Sequence, residues 1–143
     1  MKIKFILIIS IILLIASLIA GCSKATPTAA SDANISIDPT ILAFASPMAE
    51  NLLIGLKNND IQAFRANYDD AMLKATTEDA FQSLRSKLES QFGVYQSITP
   101  MQIQKGGGFI NVFYTVNFEK GPLTMQLVLT ETEPHQISGL WFK

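Results

Sequence analysis

The chain predicts an α+β fold, with N-terminal helices packed on one face of an antiparallel sheet of about four strands. Three observations predict it. Apolar residues recur every three or four positions as far as Phe92 and alternate strictly from Ile110, so the period changes from 3.6 to 2. Three turn signals, Lys105-Gly106-Gly107-Gly108, Lys120-Gly121-Pro122 and Glu131-Thr132-Glu133-Pro134, cut the second half into strand-length pieces. The whole chain has 143 residues and no internal repeat, which allows one domain.

In chain order, Met1-Lys2-Ile3-Lys4 places two positive charges ahead of Phe5 to Ala20, an apolar run interrupted only by Ser10 and Ser17. A basic start, an apolar centre and small residues at the end predict a secretory signal over residues 1–21. The run is shorter than the roughly 20 apolar residues a membrane span needs. Residues 22–40 are rich in Ala, Ser, Thr and Pro, and read as a flexible tether. The folded domain is expected over residues 41–143. Ile41, Leu42, Ala45, Met48, Ala49, Leu52, Leu53 and Leu56 form one helical stripe. Asn58-Asn59-Asp60 breaks it, with Asp60 as the N-cap of a short second helix carrying Ile61, Phe64 and Tyr68. A third helix starts at Thr76 or Thr77, where Thr76-x-x-Asp79 has the spacing of a capping box, and buries Phe81, Leu84, Leu88 and Phe92. Gly93 stands where a helix ends. Strands follow over Ile98–Ile103, weakened by Pro100, then Ile110–Phe118, Leu123–Leu129 and Gln136–Phe142.

Charge and rare residues narrow the function. With 11 Lys+Arg against 12 Asp+Glu, the formal net charge is −1, and no nucleic-acid partner is expected. One Cys and one His exclude a disulfide framework and argue against a Cys/His metal site, so no metal and no cofactor are expected. His135, after Pro134 and near Glu131 and Glu133, reads as a solvated turn histidine. Asp69-Asp70 and Glu78-Asp79 read as exposed acids favouring helix dipoles. Gly106-Gly107-Gly108 has no following Lys-Ser/Thr, so it is not a phosphate loop. No catalytic residue is assigned.

The stretch Leu18-Ile19-Ala20-Gly21-Cys22 resembles the bacterial lipoprotein lipobox. That resemblance implies cleavage between Gly21 and Cys22 and a diacylglycerol, with further acylation such as palmitate, on the Cys22 thiol. Two or three acyl chains, at about 0.8 kcal/mol per buried methylene, hold a protein at a membrane almost permanently. Its expected place is then extracytoplasmic and lipid-anchored, at the cell membrane or at an outer membrane where the organism has one.

Val116-Asn117-Phe118-Glu119-Lys120-Gly121-Pro122-Leu123 and Ile137-Ser138-Gly139-Leu140-Trp141-Phe142 resemble the ending of an uncharacterised prokaryotic family, domain of unknown function 3887. Asn59-Asp60, Phe64 and Phe92-Gly93 fall where that family has similar residues, so the resemblance covers roughly residues 45–143. It implies a cone-shaped α+β fold of the nuclear transport factor 2-like or cystatin-like type. It carries over no catalytic residue.

The expected role is a membrane-anchored lipoprotein with a non-catalytic binding or protein-interaction domain. The alternative is a small enzyme using the pocket between sheet and helices. Folds of the implied type often enclose such a pocket, and Tyr114 and Trp141 have the apolar body and polar tip that suit its lining; ordinary core or rim places suit them too. Expected partners are the membrane, through lipid on Cys22, and a small ligand or envelope protein. A homodimer is expected through the outer sheet face. There Phe113 and Val128 point away from the helices, joined by either Trp141 or the pair Leu140 and Phe142, whichever way the last strand's register falls.

Overall fold

A computed structural model of the protein describes residues 37–143. The signal, the tether and the Gly21/Cys22 site lie outside the described residues. Among the described residues four helices precede four strands: α1 (Pro39–Asn58), α2 (Ile61–Phe64), α3 (Asp70–Ala75), α4 (Glu78–Phe92), β1 (Tyr95–Gly106), β2 (Phe109–Phe118), β3 (Gly121–Thr130) and β4 (Ile137–Phe142). The strands form an antiparallel meander in the order β1-β2-β3-β4. The fold is α+β, with all helices ahead of one open four-stranded sheet.

Each helix starts on a side-chain cap. The Asp38 carboxylate accepts from Thr40 N–H, with Pro39 preset for the first turn of α1. Asp60 caps α2 through Gln62 and Ala63 N–H, and Asp69 caps α3 through Met72 N–H. On α4 the cap is Thr77, accepting from Ala80 N–H, so the pair Thr76 and Asp79 does not form the expected box. Pro47 lies inside α1, where it leaves the Ala43 carbonyl without its helical donor. Both residues are on the exposed side, so the carbonyl is not buried without a partner.

α1 has the length and composition of a membrane span, but its apolar stripe lies in the core. Ile41, Ala45, Ala49, Leu52, Leu53 and Leu56 pack with Phe64, Tyr68, Phe81 and Leu88 over the inner sheet face. That face is built from Ile110, Val112, Tyr114, Val116 and Phe118 of β2 with Met125, Leu127 and Leu129 of β3. Burying a large apolar side chain contributes roughly 1.5–3 kcal/mol, so this shared layer outweighs any single cap. At Gly55 the backbones of α1 and α2 nearly touch. A Cβ there would lie 2.4 Å from Phe64 N.

Three expectations are revised. The second helix stops at Phe64, and Tyr68 instead forms a parallel bridge with Ile137, flanked by Asp69 N–H to Ile137 O and Ile137 N–H to Asn67 O. α3 has no periodic signature, because this six-residue helix has no fully buried side chain and only Met72 packs partly against the core. β1 starts at Tyr95, and Pro100 sits beside a register shift on an edge strand, where a missing N–H is tolerated.

Candidate functional site: a groove under the last helix and the outer sheet face

β4 pairs with β3 so that Leu140 faces Leu127, Trp141 faces Gln126 and Phe142 faces Met125. Leu127 and Met125 are core residues, so Leu140 and Phe142 point toward the helices and Trp141 points away from them. An irregularity between Val128 and Leu129 inserts Ser138, which is what sets this register.

Over Leu140 and Phe142 the helical cover is incomplete. Both are only half-buried, as is Leu123 on β3, although all three face inward. Between them and α4 runs a groove of about 380 Å³, walled by Leu84, Leu88 and Phe92 of the helix, four residues apart on one stripe. Lys87 and Gln91 stand at its rim, and Trp141 and Lys143 border its end. A smaller cavity of about 30 Å³, lined by Leu56, Tyr95 and Phe118 among others, has room for little more than a water molecule. Arg85 borders it, donating from Nε to Leu56 O and pairing with Glu89 at 3.1 Å.

Tyr114 and Trp141 do not share a pocket, which corrects the expectation. Alternation along β2 turns Tyr114 into the core, where it is fully buried, and the register of β4 puts the Trp141 ring on the opposite face. Burial pushes the Tyr114 hydroxyl up from its ordinary pKa, with the nearby Ser46 hydroxyl opposing that shift. Tyr68 is pushed up by burial as well. Both phenols stay protonated at any physiological pH and serve as core.

His135 is not simply solvated. Its ring stacks on Phe44 of α1 with centroids 4.1 Å apart and 9° between planes, and its Nδ1 lies 3.1 Å from Thr130 O. The residue has φ 56°, a left-handed conformation that lets the loop turn the imidazole back onto the helix. Among the described residues no three His, Cys, Asp or Glu side chains gather as metal ligands do, so Glu131, Glu133 and His135 are not brought together as one.

On the outer face Phe113 and Trp141 flank Gln126 in one row across β2, β3 and β4. Val128 lies one row along, opposite Gly139. Gln126 interrupts the expected apolar patch and is held in place: its Nε2 donates to Asn111 Oδ1 at 3.0 Å, and Lys143 Nζ donates to its Oε1 at 2.7 Å. Two features went unread in the sequence. Gly139 and Trp141, two apart on a strand, share a face, and that spacing was visible. The bond from Ser138 Oγ to Asp69 Oδ2, 2.6 Å long, joins residues 69 apart and left no sequence signal. With Met72 N–H as the larger cause, it holds the Asp69 carboxyl below the usual carboxylate range.

The profile of a family described as "Protein of unknown function (DUF3887)" matches residues 49–140 of the chain. No curated protein matches it. Among solved structures, that of Bdellovibrio bacteriovorus Bd1075 is similar at 13% identity and a TM-score of 0.41. The likeness covers 68% of this chain and only 38% of that one.

Proposed function

The chain belongs to the DUF3887 family, and from its own residues we propose that it is a lipid-anchored, extracytoplasmic protein whose domain binds a small apolar ligand under α4. The observation that carries this reading is the groove itself. Its volume of about 380 Å³ falls in the range of small-molecule sites, and six Leu and Phe side chains make its walls. Inward-facing Leu123, Leu140 and Phe142 remain half-exposed, and an apolar guest would remove that surface from water. Hydrocarbon walls bind by burial, and the titratable groups of the lining, Lys87 and Lys143, stand at the rim and end with no acid or imidazole among the lining residues, which favours a binding module over an enzyme. The anchor rests on the lipobox-like Leu18–Cys22 and the basic-apolar segment ahead of it.

The two parts are tested separately. Mass spectrometry of native protein should find an N-terminus at Cys22 carrying a diacylglyceryl group, and Cys22→Ala should yield uncut precursor or unacylated product. Cleavage elsewhere with a free thiol would refute the anchor. For the groove, the uncharged dye N-phenyl-1-naphthylamine should brighten on binding full-length protein above background from detergent. Leu84→Asn and Leu140→Asn should each abolish the saturable part, and Phe113→Ala, on the outer sheet face, should preserve it. Equal brightening in all variants would refute the site.

A further inference from the structure

Trp141 is the one tryptophan of the chain and, at 50%, the most exposed large apolar side chain among the described residues. It is nonetheless held. A Cβ on Gly139 would lie 2.4 Å from both Cη2 and Cζ3 of the indole and 3.4 Å from Val128 Cβ. The ring therefore lies down on the sheet at the one position of its strand without a side chain. The far edge of the ring sits over Gly139 near Val128, and half of the side chain meets solvent.

The surroundings of this platform are polar but almost uncharged. The chain of bonds from Lys143 through Gln126 to Asn111 fixes two amides in a line beside the ring and leaves the Asn111 Nδ2 donors available. Thr124 and Thr115 add hydroxyls in the neighbouring row. The outward positions of the four strands carry no charged side chain, and the ammonium of Lys143, just past the end of β4, is already bonded to Gln126. A highly charged partner thus finds no counter-field here. A second protein surface needs an apolar centre, and the centre of this face is a doubly bonded Gln126.

We propose that the outer sheet face around Trp141 binds a neutral, pyranose-based polysaccharide. A pyranose ring presents a face of C–H bonds, weakly positive at hydrogen, to the negative face of the indole. Its hydroxyls both give and accept, which matches amides and threonine hydroxyls better than charges. Gly139 makes the platform, because any side chain there would lift the ring. The platform faces away from the helices, although Trp141 and Lys143 also border the end of the α4 groove.

Trp141 is its own reporter. Full-length protein in detergent is titrated with cellohexaose and N-acetylchitohexaose, with dextran sulfate as the charged control. A saturable blue shift is expected with a neutral sugar and none with the sulfated polymer. Gly139→Ala and Asn111→Ala should each weaken binding by about tenfold or more, which corresponds to about 1.4 kcal/mol. Trp141→Ala, read by calorimetry, should abolish binding, and Trp141→Phe should restore part of it. No shift with either sugar up to about 1 mM, equal binding of dextran sulfate, or unchanged binding in Gly139→Ala would overturn the proposal. So would a shift that follows protein concentration alone with a doubled mass in light scattering, which would assign the face to a second copy of the chain.

Discussion

Replacing Asp69 should destabilise the domain more than any other surface carboxylate replacement, because one side chain ties a helix start to the edge of the sheet. Its Oδ1 accepts from Met72 N–H at 2.8 Å, and its Oδ2 accepts from Ser138 Oγ at 2.6 Å. Loss of an N-cap costs about 1 kcal/mol. A hydrogen bond to a charged group contributes about 1.5–3 kcal/mol, and the lower end applies to a half-buried pair. Asp69→Ala should therefore cost about 2–3 kcal/mol, Ser138→Ala about 1.5 kcal/mol, and Asp69→Asn about 1 kcal/mol because an amide still caps α3. In a double-mutant cycle the Asp69/Ser138 pair should couple. Urea denaturation followed by Trp141 emission measures each value, and the slope should not change. The pH dependence has a definite sign. The folded carboxyl sits below its ordinary value, held there first by Met72 N–H and then by Ser138. Its contribution is complete above the unfolded pKa of about 4 and is lost as pH falls through the lower folded value. The gap between wild type and Asp69→Ala should thus be constant near neutrality and close in acid. An Asp69→Ala cost below about 0.5 kcal/mol, the range of ordinary surface changes, or an additive cycle, would refute the reasoning.

Gly55→Ala should destabilise by about 3 kcal/mol or more, since the new Cβ would strike the Phe64 backbone, which has no rotamer by which to yield; the urea midpoint reads this directly. His135→Ala should cost about 1–2 kcal/mol, combining the stack on Phe44 with the bond to Thr130 O, and not the smaller amount of a free surface residue. Thermal unfolding at neutral pH checks it, with about 4–8 °C expected per kcal/mol for a domain near this size.

Helix α1 and strand β2 were legible because their signals are local. A stripe from Ile41 to Leu56 and strict alternation from Ile110 to Phe118 need no partner to be read, and the buried residues follow both patterns. α3 was illegible for the opposite reason: six residues with no buried side chain leave no period to detect. The face of His135 was equally hidden, since a turn residue shows no sign in sequence that a distant Phe44 will stack on it.

The sequence by itself determined the order of helices before strands, the two faces of β2 and β3, and the cap at Asp60, because each depends on neighbours a few positions away. Only the tertiary structure decided which side of the sheet Trp141 occupies. A strand slipped by one residue has the same composition and the opposite faces, and the irregularity at Val128/Leu129 selects between them. The groove and the platform share that origin. Once Leu140 and Phe142 turn inward beneath α4, Trp141 must turn outward, and Gly139 is where its ring can lie.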